Sequence, residues 1–225
     1  MRFLKWLGLA VAGAIAIAGA ILWYSLWVPG KQHRGPLPQL TAEEADLAAR
    51  LRTHVTAIAS RPHNIAHFEA LEAAAVYIER TLVKFGYQVA LQVFKVDGRL
   101  VRNIEVAIEP VKATPETPAI VIGAHYDSAG TAPGANDNGS GTAAVIELAR
   151  LLRDSKPAAT RLRLVFFVNE EPPYFQTPGM GSVRYAELLG QRNERVTAML
   201  SLESIGFFSD SEGSQHYHTY PLISG

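Results

Sequence analysis

The sequence predicts an α/β domain, a mixed and largely parallel sheet flanked by helices, preceded by one N-terminal transmembrane helix. Three observations carry this expectation. Strand-like and helix-like segments alternate from about residue 87 to residue 204. Within them, AIVIGA (119–124), a helical pattern (139–152) and RLRLVFFVNE (161–170) follow one another in the order of a crossover unit, whose two strands run parallel. Residues 7–28 form a 22-residue run without a charge.

The composition sets outer limits. A chain of 225 residues, 48% hydrophobic and 19% charged, supplies one ordinary globular core and an appendage. Its 21 basic and 21 acidic residues cancel, so no global field recruits nucleic acid or holds the domain on an anionic bilayer. Any membrane attachment must therefore be hydrophobic. The absence of cysteine excludes disulfides, thiolate metal sites, a cysteine nucleophile and a lipidated cysteine anchor.

Taken in order, residues 7–28 cover about 33 Å as a helix at about 1.5 Å per residue, enough for a bilayer core. Trp23, Tyr24 and Trp27 cluster at the far end as interfacial aromatics do, and Arg2 and Lys5 precede the run. This reads as a signal anchor (residues 1–28) that exports the following domain to the extracytoplasmic side; Lys31 and Arg34 beyond it weaken the charge asymmetry. Ala18-Gly19-Ala20 fits a signal-peptide cleavage site, but cleavage there leaves ILWYSLWV as an awkward hydrophobic N-terminus, and either reading exports the domain. Residues 29–40 are Pro- and Gly-rich and read as a linker to a domain at 41–225.

In that domain Thr41, with Glu44 three residues on, predicts a capped helix to about Ala59, ended by SRPHN. Leu71, Ala75, Ile78, Leu82 and Phe85 form one apolar helical stripe that Gly86 stops. YQVALQVFKV and LVRNIEVAIE flank Asp97-Gly98, the signature of a tight hairpin, here at a sheet edge. A Pro-rich connection leads to the crossover unit. VRYAELLGQ then reads as a short helix and VTAMLSLES as a further strand.

Ligand-type residues gather where the strands stop. AIVIGA runs into His125 and Asp127, RLRLVFFVN into Glu170 and Glu171, and VTAMLSL into Glu203, while the loop carrying Asp137 leaves from the same edge. Open α/β sheets bind their ligands outside such strand ends. Each residue alone has an ordinary structural explanation: a hydrogen-bonded His, a solvated Glu pair, or Asn136, Asp137 and Asn138 capping a helix. Their coincidence points to a divalent ion, since imidazole and carboxylates converging from separate elements suit zinc, and cobalt or manganese as well. Two carboxylates after Val165-Phe166-Phe167-Val168 are costly without partners or a task. Adjacent glutamates allow one to bind metal and the other to take a proton from an activated water, and Asp127 is placed to orient the His125 ring. The sequence lacks a G-x-S-x-G elbow, a G-x-x-x-x-G-K loop and an H-E-x-x-H helix.

His125-Tyr126-Asp127-Ser128, PGANDNGSG, NEEPPYFQTPGMGS and SLESIGFFSD together resemble, in order and spacing, the di-zinc exopeptidases of the bacterial leucyl aminopeptidase type, whose relatives include glutamate carboxypeptidase and the glutaminyl cyclases. The resemblance spans roughly residues 60–220. It implies a three-layer zinc-exopeptidase fold, peptide substrates with a free N-terminus, and two zinc ions in the complete protein. It also implies that His125 binds one zinc, Asp137 bridges both, Glu171 binds the second, Glu203 completes the first and Glu170 is the general base. The chain departs from the pattern in carrying Glu203 where many members have Asp. A further His for the second zinc is also expected on a later loop; only His216 and His218 follow Glu203, close behind it, so the domain reads as incomplete at its C-terminus. Two alternatives stand beside the peptidase reading: a single-zinc cyclotransferase acting on N-terminal glutamine, and a non-catalytic binding domain on the same fold.

Overall fold

A computed structural model of the protein describes residues 2–27, 35–209 and 211. Residues 29–34 of the expected linker and both His216 and His218 lie outside the described residues. The chain divides into two units, Met1–Gln39 and Leu40–Gly225. The first contains helix α1 (Arg2–Leu26). Its segment Lys5–Leu26 has a mean hydropathy of 2.0 and exposes every side chain, so by length and composition it can cross a membrane. Trp23 and Trp27 stack near its end with ring centroids 6.1 Å apart.

The second unit holds helices α2 (Ala42–Ile58), α3 (Phe68–Lys84), α4 (Gly139–Leu152) and α5 (Gly181–Gln191), and strands β1 (Ala90–Val96), β2 (Arg99–Ile108), β3 (Ala119–His125), β4 (Arg161–Phe167) and β5 (Val196–Ser201). The Thr41 side chain accepts from the Glu44 N–H while the Glu44 carboxylate accepts from the Thr41 N–H, closing the capping box of α2. Gly86 ends the α3 segment at φ 86°, and Asp97 and Gly98 join β1 to β2 with φ of 47° and 80°, the left-handed pair that a tight hairpin requires.

The five strands form one mixed sheet in the order β1-β2-β4-β3-β5. β3 pairs in parallel with both β4 and β5, whereas β2 pairs antiparallel with β1 and β4. The hairpin does lie at an edge, with β1 outermost. Its inner strand bonds directly to β4, a pairing that no local pattern announces. Ile78 and Leu82 of α3 and Val145 and Ile146 of α4 pack with Ile104, Val106, Leu164 and Phe166 on one face of the sheet. Tyr185 and Leu189 of α5 pack on Val121, Val165 and Phe167 on the other. The result is three layers with all the parallel strands ending on one edge.

Under α5 the sheet carries a charge cluster. The Arg163 guanidinium donates to both Glu194 oxygens at 2.6 Å and also contacts Glu105, which accepts from Tyr185 Oη at 2.8 Å. Burial raises the Glu194 carboxyl, but Arg163 and Arg161 outweigh it and hold the group below its ordinary value of 4.5. With the folded pKa below the unfolded one, the pair stabilises the fold fully above about pH 4.5, and the contribution is lost as pH falls through the folded value. Arg163→Gln should therefore cost about 2 kcal/mol in urea unfolding at pH 7, with the gap to wild type narrowing towards pH 3. A gap independent of pH would refute the pairing as its source.

Candidate metal centre

Because β3, β4 and β5 run parallel, the residues that follow them meet outside one sheet edge. His125 closes β3 and is 3% exposed. Its carbonyl accepts from Thr142 Oγ1 of α4 at 2.7 Å, and its Nδ1 lies 3.3 Å from Asp127 Oδ1. Its Nε2 faces three carboxylates, Asp137 at 3.1 Å, Glu203 at 3.5 Å and Glu170 at 3.6 Å. Donor atoms of His125, Asp137 and Glu171 all lie within 4.8 Å of one another. The carboxylates expected from the sequence thus gather around His125, with Asp137, Glu170 and Glu203 at its Nε2 and Asp127 behind the ring at Nδ1.

Asp127 organises this edge. It is buried, and its two oxygens accept from the backbone N–H groups of Glu170 (3.0 Å) and Glu171 (3.1 Å). One carboxylate therefore joins the end of β3 to the turn after β4, where Asn169 at φ 58° reverses the chain. Asn138 has a comparable role on the other side. Its Oδ1 caps α4 by accepting from the Gly141 N–H at 3.0 Å, while its Nδ2 donates to the Leu202 carbonyl (2.8 Å) and to Glu203 (3.0 Å). Among the three neighbours that suit a cap, Asn138 takes the task, and the Asp137 side chain is left facing His125.

Sequence reasoning passed over His63 and Asn64, read only as part of the break after α2. The His63 N–H donates to Ser128 Oγ (2.9 Å) and its carbonyl accepts from the Ser128 N–H (3.0 Å). Asn64 Nδ2 donates to the carbonyls of Ser128 and Gly130, both at 2.8 Å. This segment clamps the loop that follows Asp127. Burial lowers the His63 pKa, and its Nδ1–H donates to the Arg61 carbonyl at 3.0 Å, consistent with a neutral structural imidazole. The only local signal was Pro-His-Asn directly after a helix.

The electrostatics call for a cation. Asp127, Asp137, Glu170, Glu171 and Glu203 surround one imidazole, and among the described residues none of them pairs with a lysine or arginine. Burial disfavours the charged His125, yet Asp127, Asp137 and Glu203 outweigh that and push its pKa up to about 12. Burial and the nearby Asp137 push the Glu171 carboxyl up to about 7. A single proton on His125 leaves most of this negative charge unbalanced. One imidazole and several carboxylates, gathered and otherwise unpaired, fit the donor chemistry of zinc.

Comparison with known proteins agrees with this chemistry. The model of Peptidase family M28 matches residues 103–220. The uncharacterized protein YfbL of Escherichia coli K12 is 34% identical over 216 residues, covering 91% of this chain and 61% of that protein. Aminopeptidase YwaD of Bacillus subtilis is 36% identical over 88 residues, covering 39% of this chain and 18% of the aminopeptidase. Among solved structures, Porphyromonas gingivalis glutaminyl cyclase superposes with a TM-score of 0.55 at 25% identity, over 72% of this chain and 61% of that one. The zinc aminopeptidase BSAP of Bacillus subtilis shares the fold with a TM-score of 0.60 at 15% identity, over 71% and 69% of the respective chains. The chain thus spans about three fifths of the length of YfbL and less of YwaD.

Proposed function

Because the chain belongs to peptidase family M28, we propose that it is a membrane-anchored zinc aminopeptidase that hydrolyses N-terminal peptide bonds. The observation that carries this reading is the convergence of His125, Asp137 and Glu171 within 4.8 Å, with Glu170 beside them. His125, Asp137 and Glu203 would hold one ion, and Asp137 and Glu171 a second; no other described histidine joins this group. When bound, zinc supplies a Lewis acid and lowers the pKa of water.

The chain's own residues do the rest. Asp127 fixes the His125 ring through Nδ1 and holds the backbone of the Glu pair. Glu170, pinned at its N–H and with its carboxylate 3.6 Å from His125 Nε2, takes the proton from the attacking water and returns it to the departing amine. The surplus of carboxylates attracts the free amino group of a peptide. A cavity of about 330 Å³ beside Asp127 and Glu171, walled by Ile65, Ala66, Pro173 and Tyr174, offers room for the chain attached to it.

In this reading residues 1–28 anchor the protein, 29–40 link, and 41–225 form the peptidase domain on the extracytoplasmic side. The full-length protein should hydrolyse aminoacyl chromogenic amides, lose that activity to a chelator and regain it with zinc. Chelator-insensitive turnover, or none after zinc is restored, would overturn the reading. The likeness to a glutaminyl cyclase at 25% identity favours cyclisation as the second reading. Mass spectrometry on a glutamine-terminated peptide separates them, since cyclisation loses ammonia from the intact peptide whereas the peptidase releases glutamine.

A further inference from the structure

We infer that Arg61 and Arg99 form a carboxylate-reading subsite at the far end of the substrate groove, so that the preferred substrates are short peptides bearing a negative charge a few residues from the free amine. The inference rests on the aminopeptidase reading, which places that amine at the carboxylate cluster. A second cavity, of about 390 Å³, is lined by Arg61, Pro62, Phe68, Glu69 and Arg99, and shares Ala66 with the cavity beside Glu171. Structural ties also link the two. Tyr174, in the wall of the first cavity, donates from Oη to Asp97 at 2.7 Å in the hairpin turn, and Arg99 follows two residues later. Arg61 precedes the His63-Asn64 clamp on the loop after Asp127.

Both guanidinium groups are available. Neither forms an ion pair among the described residues, and Glu69 is the one carboxylate among the residues that line the cavity. The Arg99 guanidinium carbon lies 4.8 Å from the centroid of the Phe68 ring. Such stacking fixes the plane of the group and leaves its N–H edge free for bidentate contact with a carboxylate. Ala66, common to both cavities, makes them neighbours, and an extended peptide leaving the first advances about 3.4 Å per residue towards the second. The groove is then acidic where the amine sits and basic where the chain ends, complementary to a zwitterionic peptide.

The shared chemistry is a carboxylate, which a C-terminus or an acidic side chain can supply. Calorimetry on the full-length, zinc-loaded protein distinguishes them with tetra-alanine analogues whose first peptide bond is reduced and cannot be hydrolysed. Wild type should bind the free acid, or the C-terminal amide with Glu at position 3, about ten-fold tighter than the plain amide or its Gln counterpart. The discrimination should shrink at high salt. Preference for the free acid alone assigns the C-terminus, and preference for the Glu amide assigns a side chain. The double variant Arg61→Gln/Arg99→Gln should bind all four alike. Equal binding of the four by wild type, or discrimination that survives in the double variant, would sink the inference. Hydrolysis of a leucine anilide, which carries no carboxylate, tests the peptidase reading by itself, so the two failures are distinguishable.

Discussion

Replacing Glu170 by Gln is expected to leave zinc content near normal and to lower kcat by about 10²–10⁴-fold, the span of general acid–base catalysis. The substitution keeps the size of the side chain. It also keeps the backbone N–H that donates to Asp127 at 3.0 Å, so the turn after β4 is undisturbed. What it removes is the proposed proton acceptor, 3.6 Å from His125 Nε2. It also removes one of five mutually repelling carboxylates, so the metal-free variant should be no less stable than wild type in urea. Asp137→Ala is the contrasting case. Its carboxylate lies 3.1 Å from the same nitrogen and belongs to the three-residue donor group, so its loss should empty the site of metal and abolish turnover together. Atomic absorption on both proteins, with single-turnover rates, separates the two roles. Equal metal loss in both variants would refute the division between base and ligand.

What the sequence made legible follows from how local each signal was. Asp97-Gly98 announces its hairpin because only certain residues tolerate two successive left-handed conformations, and Thr41 with Glu44 announces its helix because the two halves of the capping box are only three residues apart. The strand ends were legible for a geometric reason: a crossover unit makes its strands parallel, so whatever follows them shares an edge. The supporting contacts were not legible, because they are long-range. Nothing near Asn138 indicates that its amide would reach Leu202 and Glu203, 64 and 65 residues on. Nothing near His63 indicates a clamp on Ser128, and a proline beside it reads equally well as punctuation. The place of β4 between β2 and β3 is likewise a matter of tertiary pairing, since nothing near Arg163 in the sequence indicates that Glu105 and Glu194 are brought to it.

That long-range support sets the second large effect, at Asp127. An aspartate here accepts three contacts, from the N–H groups of Glu170 and Glu171 and from the His125 ring, while 2% exposed. Asparagine matches its shape but offers one oxygen. In either orientation its amide group confronts a backbone N–H, donor against donor, and the ring loses the anion that fixes its tautomer. Asp127→Asn should therefore weaken zinc binding by about 10–100-fold, as loss of a ligand's supporting carboxylate does. It should also destabilise the metal-free protein by about 1–3 kcal/mol, the cost of a buried donor left without a partner. Competition with a chromophoric chelator measures the first and urea unfolding in EDTA the second. The second measurement decides the role: a residue that merely touched substrate would lose rate with apo stability intact, whereas the observed bonds require that both fall.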